Sequence, residues 1–446
     1  MNKKTVLVIT IVMVLMLIAT ACSGGTKNNS AESGGDQPSE TKATSEDQIT
    51  LRVQWWGPQI RHDDTLKVIR MYEEQNPHVK IEAEFSSFDG YWQSMAAQAA
   101  GNNLPDVMTQ NFGEYITQYT ERGLMVDLNE FVEDGTIDGS NISADVLDSG
   151  TLDGKLVGIS LGTNAFGVFY NPELLELAGV EEPKLGWTWE DYAAAAEKVA
   201  AVADYGAFNL DILQTYESIR MFEVYLREHG LELYNEDVSG LGWEDDQVLI
   251  DYLQLWLDML KNGSIPPLEV AQEYNSLENT MIGLGSLGLD IRWANQLVAI
   301  NNTAKGKLKI GPLPGPNEQQ GMYLRPSMLF SIPTTSEHKK EAAKFIDYFT
   351  NDLEANKILK GERGVPVSSV IRDAIKPDLD ESTQAVFEFI DMVTNNSSPV
   401  DKNQPPFSNE IFALIGDAFE KVLYEQITPQ EAASEIRQKA NEVFSR

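Results

Sequence analysis

A chain of 446 residues is long enough for two domains, and 34 Lys and Arg set against 68 Asp and Glu give it a formal charge of −34. That balance repels nucleic acid and anionic lipid head groups and leaves neither as an expected partner. The single cysteine excludes an internal disulfide, and the four histidines, His62, His78, His229 and His338, are too scattered to hold a metal, so no metal and no cofactor is expected.

Met1-Asn2-Lys3-Lys4, an apolar run from Thr5 to Thr20 and the sequence Ala19-Thr20-Ala21-Cys22 read as a secretion signal closing on a lipobox. The run is shorter than the roughly 20 residues of a bilayer span. Ala19 stands where such boxes more often carry Leu, while Cys22 stands where a thiol is acylated. Residues 1–21 are therefore expected to be a lipoprotein signal peptide, and 22–47 a tether too poor in apolar residues to bury a core, with a reach of about 25–30 Å. This predicts a protein on the outer face of the cell membrane, anchored by the lipid on Cys22.

Leu51, Val53 and Trp55 alternate with Arg52, Gln54 and Trp56, a strand stopped by Gly57-Pro58. Asp63 or Asp64 can cap the following helix, whose apolar face is Leu66, Ile69 and Tyr72. Val79–Phe85 alternates again, Tyr91–Ala100 reads as a helix, and Leu104–Met108 as a third strand ending at Gln110-Asn111-Phe112. This is the order of a parallel α/β unit, in which ligands bind beyond the carboxyl ends of the strands. Further strands are predicted at Gly154–Ile159 and Phe166–Tyr170, and a helix opens at Thr188 with Asp191 completing a capping box. Asp245–Lys261 is amphipathic, with Val248, Leu249, Tyr252, Leu255, Trp256 and Met259 on one face.

Gly283-Leu-Gly285-Ser-Leu-Gly288 matches a dinucleotide fingerprint in form only. The segment before it, Glu273–Met281, reads as polar and helical, and Ser286–Ile291 is itself the strand, the reverse of the required order. A Pro- and Gly-rich link follows at Gly311–Pro316, then Leu324–Pro333, a helix from Ser336, a loop at Gly361–Val367 and a mostly helical remainder. No phosphate loop and no serine-nucleophile elbow is present, and nothing in the chain demands catalysis.

Trp55-Trp56-Gly57, Asn102-Asn-Leu-Pro-Asp106, Asp153-Gly-Lys155 with Tyr170-Asn171, Trp187-Thr-Trp189-Glu-Asp191 and Glu341-Ala-Ala-Lys-Phe-Ile346, in this order, resemble the extracellular solute-binding proteins of ABC importers, in the group serving sugars and oligosaccharides. Arg61-His-Asp63, Pro77–Phe85, Asp134–Asp138, Pro326–Pro333, Ser336–Ala343 and Lys360–Ser368 are similar to the Bacillus-type lipoproteins of importers for rhamnogalacturonan fragments. The chain departs from that pattern at Ile291-Arg292-Trp293 and at Leu324-Arg325.

The resemblance implies an α/β, two-lobed periplasmic-binding-protein-like fold with a hinge and an inter-lobe ligand cleft. The lobes would be 48–161 with 314–365, and 162–313 with 366–446, and the crossings would lie near Leu161–Phe166, Gly311–Pro316 and Val365–Ser368. It also implies a non-enzymatic monomer that captures an oligosaccharide, a pectic rhamnogalacturonan fragment, and passes it to the permease subunits of an ABC transporter. The rival readings are a secreted polysaccharide lyase or glycosidase, a peptide or metal-chelate receptor, and a receptor for a neutral oligosaccharide such as a xylo-oligosaccharide.

Trp56 and Trp293, at strand ends beside charged residues, are expected to be stacking platforms, whereas Trp187, Trp189 and Trp256 are expected to be structural. Arg61, Arg292, Arg325 and Arg363 are the candidate grips for a sugar carboxylate. His62, Gln110, Asn111, Asn164, Tyr216 and Asp290 complete the expected ligand-binding set.

Overall fold

The computed structural model describes residues 48–209, 218–274, 276–277, 279–401, 405 and 407–446. Eleven strands are β1 (Ile49–Trp56), β2 (Val79–Ser86), β3 (Val107–Gln110), β4 (Thr151–Leu152), β5 (Lys155–Leu156), β6 (Ile159–Asn164), β7 (Phe166–Tyr170), β8 (Tyr205–Asn209), β9 (Leu287–Trp293), β10 (Lys309–Gly311) and β11 (Arg325–Ser331), counted among the described residues. They form a five-stranded sheet ordered β2-β1-β3-β11-β6, a four-stranded sheet ordered β10-β7-β9-β8 and the small pair β4-β5.

In the first sheet β1 runs parallel to β2 and β3, as the alternation of strands and helices demands, and β11 lies antiparallel between β3 and β6. Leu51, Val53 and Trp55 point into a core shared with Phe330, Phe345 and Ile346. The second sheet carries its own core, built on Phe169, Tyr192, Leu289, Trp256, Phe389 and Phe419. Each fully buried ring of this kind contributes about 1.5–3 kcal/mol.

The chain passes between the two cores at Asn164–Phe166 and again between Leu324, which packs in the second, and β11, which builds the first. The latter passage lies beyond the Gly311–Pro316 link. A third passage runs through Arg363–Val365, and the three are laced together. Thr163 and Val365 exchange backbone hydrogen bonds of 2.8 and 3.0 Å, and the Ser327 hydroxyl donates to the carbonyls of Gly162, at 3.0 Å, and Arg363.

Three local expectations are corrected. The first helix runs Gln59–Gln75 with an extended Pro58 at its N-cap, so Asp63 and Asp64 lie inside it, past the first-turn amides that a cap would serve. The third strand is Val107–Gln110 rather than Leu104–Met108. In Glu273–Met281 the described residues before Met281 are not helical: a bridge pairs Ser276 with Asn279, and a single turn, Met281–Leu284, follows. Ser, Asn and Thr compete for backbone partners there and favour turns. The glycine tract has a packing explanation. Gly285 holds φ +83° as a left-handed helix cap, and a Cβ at Gly288 would lie 2.3 Å from Val199 on the neighbouring helix Trp189–Ala200.

Candidate functional site

Four strand ends meet where the chain crosses between the cores. β3 runs out into Phe112, β6 ends at Asn164, β9 ends at Trp293 and β11 begins at Arg325. Register fixes the meeting, since Arg325 pairs with Asn164 across one ladder and Phe166 with Trp293 across the other. Trp293, half-buried, stacks on Phe166 with centroids 3.7 Å apart. The Arg325 guanidinium lies 5.6 Å from the Trp293 ring centre and 5.7 Å from that of Phe112, within cation–π range of both, and donates to the Phe112 carbonyl at 3.3 Å. Asn164 donates from Nδ2 to Asn295 Oδ1 at 3.0 Å and accepts from the Asn295 backbone N–H at 3.2 Å, tying the end of β6 to the turn after β9.

A pocket opens from Arg325 toward Tyr323, Arg220, Glu223 and Asp401. Arg220 and Glu223, one turn apart on the helix Ser218–Glu228, form an ion pair of 2.8 Å. Burial nonetheless holds the Glu223 carboxyl above its ordinary pKa, because desolvation outweighs the pull of Arg220. Arg227, on the same rim, is engaged with Ser398 Oγ at 2.5 Å and the Pro399 carbonyl at 2.8 Å.

Of the four arginines singled out in the sequence, Arg325 is the one with no carboxylate within ion-pair distance among the described residues. Arg61 donates to Glu362 at 2.8 Å and to the Trp56 carbonyl, clamping the first helix to the third crossing. Arg292 donates to Asp290 Oδ2 at 2.5 Å, both nearly or wholly buried in the second sheet, and burial raises the Asp290 pKa to about 6. Arg363 is buried against Phe349 and donates to Thr65 Oγ1 at 2.6 Å; desolvation lowers its pKa to about 9.

Trp56 is 7% exposed and packs among Tyr91, Trp92 and Phe88, while Trp55 is fully buried with its indole N–H on His62 Nδ1 at 3.1 Å. Burial, then Arg61, depresses the His62 pKa. Gln110 is buried beside Met108 and Met125. Asn111 is half-buried at the end of β3. The structure thus gathers Asn164, Trp293 and Arg325 at the crossing and sends Arg61, Arg292, Asp290, Arg363 and Gln110 into internal contacts.

Trp187, Trp189 and Trp256 are buried, Trp189 with its indole N–H on Glu228 at 2.7 Å. Tyr216 and Cys22 lie outside the described residues. Phe112, Phe166, Asn295, Arg220, Glu223 and Tyr323 had no sequence signal beyond their residue types. Only their registers and crossings bring them together. Among the described residues no group of three or more His, Cys, Asp or Glu is placed to hold a metal, and no helix is long and apolar enough to cross a membrane.

A profile described as bacterial extracellular solute-binding protein matches residues 67–385. An uncharacterized ABC transporter extracellular-binding protein of Pyrococcus horikoshii is 25% identical over 360 residues, which is 78% of each chain. A family 1 extracellular solute-binding protein of Alicyclobacillus acidocaldarius superposes with a TM-score of 0.77 at 28% identity, covering 89% of this chain and 99% of its own. A periplasmic oligogalacturonide-binding protein of Yersinia enterocolitica shares the two-lobed α/β fold with a TM-score of 0.71 at 21% identity, over 89% and 99%. The chain belongs to the bacterial extracellular solute-binding proteins.

Proposed function

We propose that this protein captures an oligosaccharide, a pectic rhamnogalacturonan fragment, and delivers it to the permease of an ABC importer. The observation that carries the reading is Arg325, set over Trp293 and Phe112 at the crossing between two lobes, with a carbonyl as its one side-chain hydrogen-bond partner among the described residues. In a chain of charge −34, a uronate is repelled unless a cation stands in the site itself, and a guanidinium can grip its carboxylate with two hydrogen bonds. Trp293, half-buried on Phe166, adds aromatic surface beside the guanidinium, and Asn164 and Asn295 offer amide groups to hydroxyls. The ABC transporter role of the Pyrococcus relative and the oligogalacturonide bound by the Yersinia protein support the same reading.

In this proposal the two lobes are those expected from the sequence, 48–161 with 314–365 and 162–313 with 366–446, except that the segment up to Leu324 goes with the second lobe, because Met322, Tyr323 and Leu324 pack in its core. The lobes close about the laced crossings, and a lipid on Cys22 tethers a monomeric, non-catalytic receptor to the cell surface. Calorimetric titration with galacturonate oligomers and their carboxyl-reduced counterparts tests it. The acidic series is expected to bind more tightly, and to lose that preference in Arg325→Met. A neutral ligand such as a xylo-oligosaccharide is the rival reading, favoured by the engagement of Arg61 and Arg292 with internal carboxylates. Equal binding of both series, blind to Arg325, would establish it.

A further inference from the structure

Aromatic rings continue past the crossing along the carboxyl edge of the first sheet. Tyr115, three residues beyond Phe112 on the helix Glu114–Glu121, lies 6.1 Å from Phe88, and Phe88 lies 5.4 Å from Trp56 at the end of β1. Phe88 is 39% exposed and Phe85, at the end of β2, is 41% exposed, an unusual pair among rings otherwise withdrawn from water.

The geometry around Phe88 is that of a supported open ring. It meets Trp56, Trp92 and Tyr115 at interplanar angles of 86°, 75° and 84°, so among the described residues no aromatic ring lies flat on either of its faces. Its neighbours are themselves locked: Trp92 lies flat on Tyr115 at 3.7 Å and 10°, and Trp56 packs on Tyr91. Phe85 is backed by His62, stacked at 4.3 Å, which accepts from the buried Trp55 indole. Local structure does not require either ring. Phe88 is the first residue of the helix Phe88–Ala100, capped by the Ser87 hydroxyl, and a hydrophobic staple would use the position before the cap and the fourth residue, Ser86 and Tyr91.

We infer that Phe88, with Phe85 beside it, is a distal sugar-stacking platform, continuous with the Arg325 and Trp293 site, that lengthens the binding groove to hold an oligosaccharide of several rings. The inference rests on the proposed function and adds to it a chain-length requirement. A ring already immobilised by its neighbours loses little freedom when a pyranose C–H face lies on it, so added sugar units gain affinity there.

The test is calorimetric titration of the wild type, Phe88→Ala and Phe88→Tyr with galacturonate oligomers from dimer to hexamer. Wild-type affinity is expected to climb with length. Phe88→Ala should leave the dimer unchanged and weaken the hexamer about tenfold, and Phe88→Tyr, which keeps the ring, should restore the climb. A loss equal at every length, or no loss at the hexamer, overturns the platform while leaving the capture of acidic sugars intact. If the wild type instead binds a xylo-oligosaccharide ladder and no acidic one, the pectic assignment falls and the platform is judged on that ladder by the same criterion. Binding of neither ladder overturns both.

Discussion

Replacing Glu228 with Gln should make the protein more stable at alkaline pH and leave it nearly unchanged in acid. Glu228 ends the helix Ser218–Glu228 with 4% exposure. Its Oε2 accepts from the Trp189 indole at 2.7 Å, and Oε1 has no hydrogen-bond partner among the described residues. Gly315 and Gly321 make room for it, since a Cβ at Gly315 would lie 2.1 Å from Oε1. Burial raises its pKa from the ordinary 4.5 to about 8, with Glu318 adding to the shift and the Trp189 hydrogen bond opposing it. The folded chain therefore holds a proton that the unfolded chain releases. The stability contributed by this group is fully present below pH 4.5 and is lost as pH rises to about 8. At about 1.4 kcal/mol per pH unit, about 3–5 kcal/mol disappears over that interval. Glutamine keeps the acceptor for Trp189 and the volume of the cradle but has no charge to desolvate. Urea unfolding at about pH 5 and about pH 9 should place Glu228→Gln within about 1 kcal/mol of wild type in acid and several kcal/mol above it in base. A difference that does not change with pH would refute the burial argument.

Arg325→Met should weaken an acidic oligosaccharide about tenfold or more while sparing its carboxyl-reduced form, and the wild-type preference should shrink as salt rises, both read by calorimetry. Trp293→Ala should weaken binding by about 1–3 kcal/mol at unchanged fold, checked by titration alongside circular dichroism. Gly162→Ala places a Cβ 2.6 Å from the Arg363 carbonyl at the laced crossings and should cost about 2–4 kcal/mol of thermal stability. A ligand at about 100 times its Kd should raise stability by about 2.7 kcal/mol, and small-angle scattering should show a smaller radius of gyration at saturation if the lobes close on it.

What the sequence reveals and what it hides follow from the range of the interactions. The alternation in Leu51–Trp56 and Val79–Phe85 and the capping box of Thr188 and Asp191 are local, and they appear in the structure as β1, β2 and the start of Trp189–Ala200. The fate of the arginines is not local. Arg61 meets Glu362 across 301 residues and Arg363 meets Thr65 across 298, so residue type and strand-end position mark them as cleft candidates while tertiary pairing draws them inward. Arg325 escapes because it opens a strand whose partner, Asn164, ends another at the crossing. Trp56 shows the same limit: a strand end beside charge suggests a platform, and the sequence does not reveal that the helix Phe88–Ala100 packs over the ring.

The insertion of β11 between β3 and β6 has a consequence for how the protein is made. The first sheet lacks one of its inner strands until residue 331 is available, although its other four strands are complete by Asn164. Until then β3 and β6 each present an unpaired edge, and the contacts that would seal them span well over a hundred residues. Closing so long a loop is entropically slow, and folding rates fall as contacts become less local. The sheet can be completed only once β11, which ends at Ser331, has been made, so β3 and β6 wait for their shared partner through everything that lies between Asn164 and that strand. A circular permutant that begins at β11, placing that strand ahead of β1, would shorten these contacts in sequence and should fold sooner.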